Sequence, residues 1–244
     1  MKIITAAVIK GGTGKTTTVA ALAQAAHRDK KRVLAVDLDP QANLSFSLGA
    51  DQNRPGSYQM LTGTPLRNLI QTTKQGIDCV SASPNLATIK TTPGSAKRLS
   101  KALATVADAY DIVLIDTPPQ MGELTFNALQ AATGLIVPLE TDNNSLQGLY
   151  QILDIAMQVQ QTNPDLQILG TVITRYDPRP NINKYLMGAI SNIGKEAGAP
   201  LLATIRTGVA VREAQAMQED LYSYARHSKP AADYMKLYKM IMEE

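Results

Sequence analysis

Eight consecutive residues, Lys10-Gly11-Gly12-Thr13-Gly14-Lys15-Thr16-Thr17, bring together three glycines, two lysines and three hydroxyls. Such a stretch suits phosphate. Glycines let successive backbone N–H groups turn toward anionic oxygens, and a helix that starts there adds the positive end of its dipole. Lys15 is placed to reach the outer oxygens of a polyphosphate, and the Thr16 hydroxyl to ligate Mg²⁺. The common pattern, G-x-x-x-x-G-K-[ST], has glycine where this chain has Ile9, and Lys10 is an extra cation. An apolar run from Ile3 to Ile9 precedes the loop and an Ala-rich helical pattern from Thr16 to Arg28 follows it. Strand, glycine-rich turn and helix N-terminus are the context the chemistry needs.

Two carboxylate sites come next. Val33 to Val36 leads into Asp37-Leu38-Asp39-Pro40-Gln41-Ala42-Asn43. Carboxylates two residues apart on an extended chain point the same way. Beside Mg²⁺ and a terminal phosphate they can hold the metal's water shell and orient an attacking water. Ile112 to Ile115 ends in Asp116-Thr117-Pro118-Pro119. Four apolar residues closed by Asp are the form of a strand whose carboxylate holds Mg²⁺. Thr16, Asp37 and Asp116 are the candidate metal-side residues.

These groups need strands to carry them. Strands are expected at Ile3–Ile9, Val33–Val36, Ile77–Val80, Ile112–Ile115, Leu135–Leu139 (closed by Pro138 and the acids after it), Ile168–Ile173 and Leu201–Ile205. Helices are expected at Thr16–Arg28, Ser95–Ala109, Leu124–Ala132, Ser145–Gln160, Ile182–Ala197, Val209–Met217 and Pro230–Met242. This alternation predicts an α/β fold, a doubly wound and mostly parallel sheet flanked by helices. One domain over residues 1–244 is expected, with no N-terminal helix-turn-helix. Asp51 to Thr64, rich in Gly, Pro and polar residues, reads as a mobile loop.

Composition narrows the class. With 44% hydrophobic and 18% charged residues the 244-residue chain can bury a core, and with aromatics at 5% that core is aliphatic. One cysteine, Cys79, excludes an internal disulfide and a cysteine-only metal cage. No apolar run reaches the ~20 residues of a membrane span, and the N-terminus lacks the form of a signal peptide. A cytoplasmic protein is expected. The net charge of +3 is unevenly spread: residues 111–169 carry seven acids and no Lys or Arg, while residues 170–244 carry ten bases and eight acids. This permits weak, salt-sensitive nucleic-acid binding if the fold gathers the bases on one face.

The K-G-G-x-G-K-T-T loop at 10–17, with Thr13 at its variable position, resembles that of the deviant Walker-A P-loop ATPases, the ParA/MinD family. The D-x-D-P-Q segment at 37–41 resembles the family's switch I and Asp116-Thr117-Pro118-Pro119 its switch II. The resemblance implies ATP and Mg²⁺ as ligands, bound along Lys10, Gly11, Gly12, Thr13, Gly14, Lys15, Thr16 and Thr17. It implies that Lys10 reaches across an ATP-bound homodimer to the partner's phosphates, that Asp39 positions the attacking water, and that Asp37 supports the metal region. Catalytic roles fall to Lys10, Lys15 and Asp39. Gly170 to Arg179 resembles the strand and loop near the adenine, with Thr174 and Arg175 as candidates. Val137 to Leu149 resembles the strand and helix beside the dimer interface. Ile205-Arg206 and Arg212-Glu213-Ala214 resemble the segment after the last strand, where the family commonly has Pro-Arg-Asn and a second arginine soon after, whereas this chain has Thr207-Gly208-Val209-Ala210 in between. Candidate DNA contacts are Lys184, Lys195, Arg206, Arg212, Arg226, Lys229, Lys236 and Lys239.

Within that family the resemblance is to ParA/Soj-type partition ATPases: ATP-dependent dimers that bind DNA without sequence preference and associate with the nucleoid. A ParB-like centromere-binding partner stimulates their hydrolysis. The alternative is a MinD-like ATPase held at the membrane by a C-terminal amphipathic helix. Here Tyr234, Leu237, Tyr238 and Ile241 share one face, the pattern of a helix packed on its own core, and Glu243 and Glu244 at the end repel anionic lipid. No stable membrane contact is expected. An iron–sulfur ATPase needs paired cysteines, which this chain lacks.

Overall fold

The computed structural model describes residues 1–243. Among them eight strands form: β1 (Lys2–Ala6), β2 (Val33–Asp37), β3 (Gln71–Thr72), β4 (Asp78–Val80), β5 (Ile112–Asp116), β6 (Gly134–Leu139), β7 (Gln167–Tyr176) and β8 (Leu201–Arg206). They make one sheet in the order β3-β4-β2-β5-β1-β6-β7-β8, parallel except for the antiparallel β3–β4 pair. The helices are α1 (Lys15–Arg28), α2 (Asn43–Leu48), α3 (Ser57–Leu61), α4 (Arg98–Ala104), α5 (Glu123–Ala131), α6 (Asn143–Gln160), α7 (Asn181–Glu196), α8 (Val209–Met217), α9 (Leu221–Tyr224) and α10 (Lys229–Glu243).

The nearly continuous apolar runs follow from burial on both faces of the sheet. Side chains alternate across a strand. Leu34, Val36, Val113 and Ile115 pack on one face beneath α4, α5 and α6. Val33, Ala35, Ile112 and Leu114 pack on the other, beneath α1 and α10. Small side chains on α1, including Ala20, Ala21, Ala23, Ala25 and Ala26, bring that helix close against the sheet. The last helix buries Tyr234, Leu237, Tyr238 and Ile241 in the same layer. Its apolar stripe is therefore spent on the fold. Among the described residues no helix is long and apolar enough to cross a membrane; Glu244 lies outside them.

Four expectations are corrected. The first strand stops at Ala6, where it pairs with Asp116, because the chain must leave the sheet to form the glycine loop. The helix expected over Ser95–Ala109 is only α4, flanked by a 3-10 turn at Ser95–Lys97. Its ladder tightens to i,i+3 bonds at Thr105 and Val106. Asp51–Thr64 is not a free loop: it contains α3, whose Ser57 donates from its N–H to the Ser81 carbonyl (2.8 Å) and from its hydroxyl to the Asp37 carbonyl (2.6 Å). Pro138 sits inside β6 rather than ending it. Ile136 gives its carbonyl to Ala7 on the β1 side, so the donor that Pro138 lacks would face the place β1 has already left.

Candidate functional site

The site forms where β1, β2, β5 and β7 end on one edge, the ligand crevice of an open parallel sheet. Leaving β1, the chain turns through Gly12 (φ 77°) and Gly14 (φ 85°). Gly14 is the N-cap of α1, and no side chain caps the first turn of that helix. Its backbone N–H groups are thus left for an anion. A side chain at Gly14 would also press on Thr174. The loop floors a cavity of about 620 Å³, whose walls include Asp39, Pro119 and Arg175.

Lys15 is buried, and its ammonium donates to the Lys10 carbonyl at 2.9 Å. Burial lowers its pKa, and the nearby Asp116 and Asp39 carboxylates oppose that shift. Thr16 donates its hydroxyl to Asp116 at 2.6 Å. Asp116 is fully buried, and desolvation with the neighbouring Asp37 charge raises its pKa well above the ordinary value, against the Thr16 bond and Lys15. A hydroxyl and a carboxylate oxygen converging beside a phosphate cradle are hard ligands, the donor set that suits Mg²⁺. Among the described residues no three His, Cys, Asp or Glu side chains gather as a metal cage. Magnesium typically takes one or two protein oxygens together with phosphate and water.

The two switch I carboxylates have different surroundings. Asp37 accepts the Asp39 N–H at one oxygen (3.0 Å) and the Ser45 N–H (2.9 Å) and hydroxyl (2.7 Å) at the other. Complete burial pushes its pKa up to about 6, in spite of those bonds. Its oxygens hold the backbone that leads into α2, Asp39 included. Asp39 faces the cavity and accepts the Gln41 N–H at 3.0 Å.

Lys10 points elsewhere. Its ammonium is paired with Asp142 and lies 3.5 Å from the Ser145 hydroxyl. Asp142 caps α6, accepting the Ser145 N–H at 2.9 Å. Burial pushes the Asp142 carboxyl up, but Lys10 and Ser145 outweigh it and hold the group below the ordinary carboxylate range.

Thr174 and Arg175 both lie against the loop, but differently. The Thr174 hydroxyl donates to the Thr13 carbonyl (2.7 Å) and reaches the Leu139 carbonyl (3.2 Å), bracing the loop from beneath. Arg175 donates to the Gly12 carbonyl and pairs with Glu140 at 3.0 Å. A second cavity of about 390 Å³ opens beside them, walled largely by the segment after β8: Thr207, Gly208, Val209, Val211 and Gln215. The sequence motifs did not single out these residues. The signal in the sequence was the departure at Thr207-Gly208-Val209-Ala210. Of the candidate DNA contacts, Arg206 is held by Asp233 at 2.6 Å and 2.8 Å. Lys184, Lys195, Arg212, Arg226, Lys229, Lys236 and Lys239 are exposed. Cys79 is buried, with its thiol pushed up by desolvation.

A family model described as an AAA domain matches residues 1–168. The chromosome-partitioning ATPase Soj of Thermus thermophilus is 35% identical over 237 residues, covering 96% of this chain and 92% of that protein. The sporulation initiation inhibitor protein Soj of Bacillus subtilis is 32% identical, with 98% of each chain covered. A crystal structure described as cobyrinic acid a,c-diamide synthase from Mycobacterium smegmatis, with bound ATP analogue and magnesium, superposes with a TM-score of 0.84 at 32% identity. It covers 100% of this chain and 95% of that one. With the phosphate loop and Asp39 lining one crevice and Asp116 bonded to Thr16 behind it, these matches show that the chain belongs to the AAA-domain family, among the deviant Walker-A P-loop ATPases of the ParA/MinD type.

Proposed function

We propose that the protein is a ParA-type DNA partition ATPase that hydrolyses ATP with Mg²⁺. The observation that carries the chemistry is the convergence on one cavity of the phosphate loop, the buried Lys15, Thr16 with Asp116 bonded behind it, and Asp39. The partition role rests on the chromosome-partitioning ATPase Soj of Thermus thermophilus, matched over nearly its whole length. The Mycobacterium structure, although described as a synthase, supports the ligands: an ATP analogue and magnesium.

In this reading the loop N–H groups and Lys15 bind the β and γ phosphates. Burial has already stripped Lys15 of most of its water, so the ammonium interacts strongly with the phosphate oxygens. Thr16 and Asp116 would hold the metal, which neutralises charge on the phosphates and fixes their geometry. The Asp39 carboxylate accepts a hydrogen bond from the water that attacks the γ phosphate. Asp37 keeps Asp39 in place through the backbone.

Lys10 supplies the link to assembly. In the structure it is folded onto Asp142 of its own chain; in the ATP dimer it leaves that partner and engages the other subunit's phosphates. Dimerisation then sets two weak basic faces side by side on DNA, which multiplies their affinity. A centromere-binding partner of the ParB type stimulates hydrolysis and release. Burial of the apolar stripe of α10 supports DNA rather than a membrane as the anchoring surface.

The test is DNA binding by the parent and by Lys10→Ala in ATP and in ADP, with dimerisation measured alongside. The parent should dimerise and bind unrelated duplexes in ATP alone. Lys10→Ala should bind ATP yet stay monomeric and off DNA. Tight DNA binding in ADP, or a confirmed dimer that ignores DNA at low salt, would sink the partition reading.

A further inference from the structure

The two cavities of the crevice share four lining residues, Gly14, Thr17, Arg175 and Gln215. A nucleotide with its phosphates on the loop and its base in the second cavity must carry its sugar between these residues. We propose that Arg175 and Gln215 grip the ribose and that the site thereby distinguishes a ribonucleotide from its 2′-deoxy counterpart. This inference rests on the ATP-site reading above and adds which part of the ligand is read, and by what.

Arg175 is aimed there at a conformational cost. It is a non-glycine residue with φ 50°, a left-handed conformation that side chains disfavour and that persists where the surroundings impose it. The register of β7 against β8 shifts between Ile173 and Tyr176, and irregularities of this kind re-aim side chains next to sites. The guanidinium is then fixed from two directions, by the Gly12 carbonyl and by Glu140. A guanidinium has five N–H donors. Two anchors leave donors for a ligand and a plane whose position is set before the ligand arrives.

Gln215 closes the neck from α8. Its amide shares a hydrogen bond with the Thr17 hydroxyl at 3.2 Å, which ties the side chain to the first turn of α1. An amide offers both a donor and an acceptor, and a ribose hydroxyl needs both. The rest of the second cavity's wall includes Val209 and Val211, which suit a flat base, while its further polar side chains, among them Arg206, Thr207 and Arg212, line only that cavity and lie outside the shared neck. A 2′-deoxy sugar would forgo a hydrogen bond to these groups, the loss of one net interaction.

Equilibrium binding of ATP and 2′-dATP with Mg²⁺ tests the proposal in the intact protein. The parent should prefer ATP by about tenfold, the effect of one well-placed hydrogen bond. Gln215→Ala should bring the ratio close to one, with the loss falling on ATP. Arg175→Ala should narrow it, and Arg175→Lys should restore part of it. The parent ratio needs no substitution, so it stands whether or not a variant folds. Equal binding of the two nucleotides by the parent overturns the inference and leaves the ATP site standing. So does a proportional weakening of both nucleotides by the variants, the signature of a contact to base or phosphate. A folded parent that binds neither triphosphate overturns the ATPase reading and the inference together.

Discussion

Lys15 and Asp39 face the same cavity, and in the proposed mechanism they act at different stages. On that reading Lys15 offsets the charge of the triphosphate in the ground state. Its replacement by alanine removes a buried cation from a site that already holds Asp39 and Asp116, so the phosphates would meet uncompensated negative charge. Lys15→Ala should lower ATP affinity by at least a hundredfold, and calorimetric titration at parental affinity would remove Lys15 from the site. Asp39, on the same reading, acts on the water. Asp39→Ala should retain ATP and accumulate as the dimer while turnover falls by about 10²- to 10⁴-fold, the range of a lost general base or water-orienting group. Single-turnover hydrolysis at the parental rate would exclude it. Asp37, two residues away, was legible as a metal-region carboxylate only. Its actual partners, Asp39 and Ser45, depend on how the chain turns after β2.

At the scale of elements, the site depends on how strand ends are held. Arg206, at the end of β8, donates from its N–H (3.0 Å) and twice from its guanidinium to Asp233 of α10. Burial pushes Asp233 up, and the Arg206 bonds outweigh this and depress its pKa. A carboxylate with a depressed folded pKa stabilises the fold above its unfolded value, near 3.9, and that contribution disappears as pH falls through the folded value. Asp233→Asn should therefore lower the melting midpoint by several degrees at pH 7. The gap to the parent should narrow as pH falls below about 4, and a gap independent of pH would show that the charge contributes nothing. The segment before α3 carries a second such constraint. A side chain at Gly56 would collide with the Ser81 carbonyl, the group that accepts the Ser57 N–H. Gly56→Ala should displace α3 and cost about 1–3 kcal/mol in urea unfolding. An unchanged urea midpoint would mean the contact relaxes freely.

On the partition reading, the decisive quantity for the whole molecule is the dependence of DNA affinity on ATP and salt. The exposed lysines and arginines of α7, α8 and α10 are spread over three elements, and each subunit alone offers few phosphate contacts. With two subunits joined, log affinity should fall steeply and linearly with log salt, because each neutralised phosphate releases counterions. Charge reversal at Lys236 and Lys239 together should reduce the slope without altering ATP-driven dimerisation measured by light scattering. If the slope is unchanged, DNA lies on another face.

Much of this was legible in the sequence because it is local. A glycine loop between a strand and a helix, and acids at the ends of apolar runs, are determined by neighbours along the chain, and the alternation of strand and helix predicts a doubly wound sheet. Weak local signals failed: α2 and α9 are too short to show a period, β3 has two residues, and the polar composition of Asp51–Thr64 concealed α3, which Ser57 pins to two strands. The tertiary structure alone decided the pairings between distant groups. Lys10 meets Asp142 across 132 positions, and Thr17 meets Gln215 across 198. The left-handed turn at Arg175 depends on how β7 sits against β8. Motif chemistry is encoded in adjacent residues, whereas the partners of a side chain are set by which remote elements the sheet order brings to the same edge.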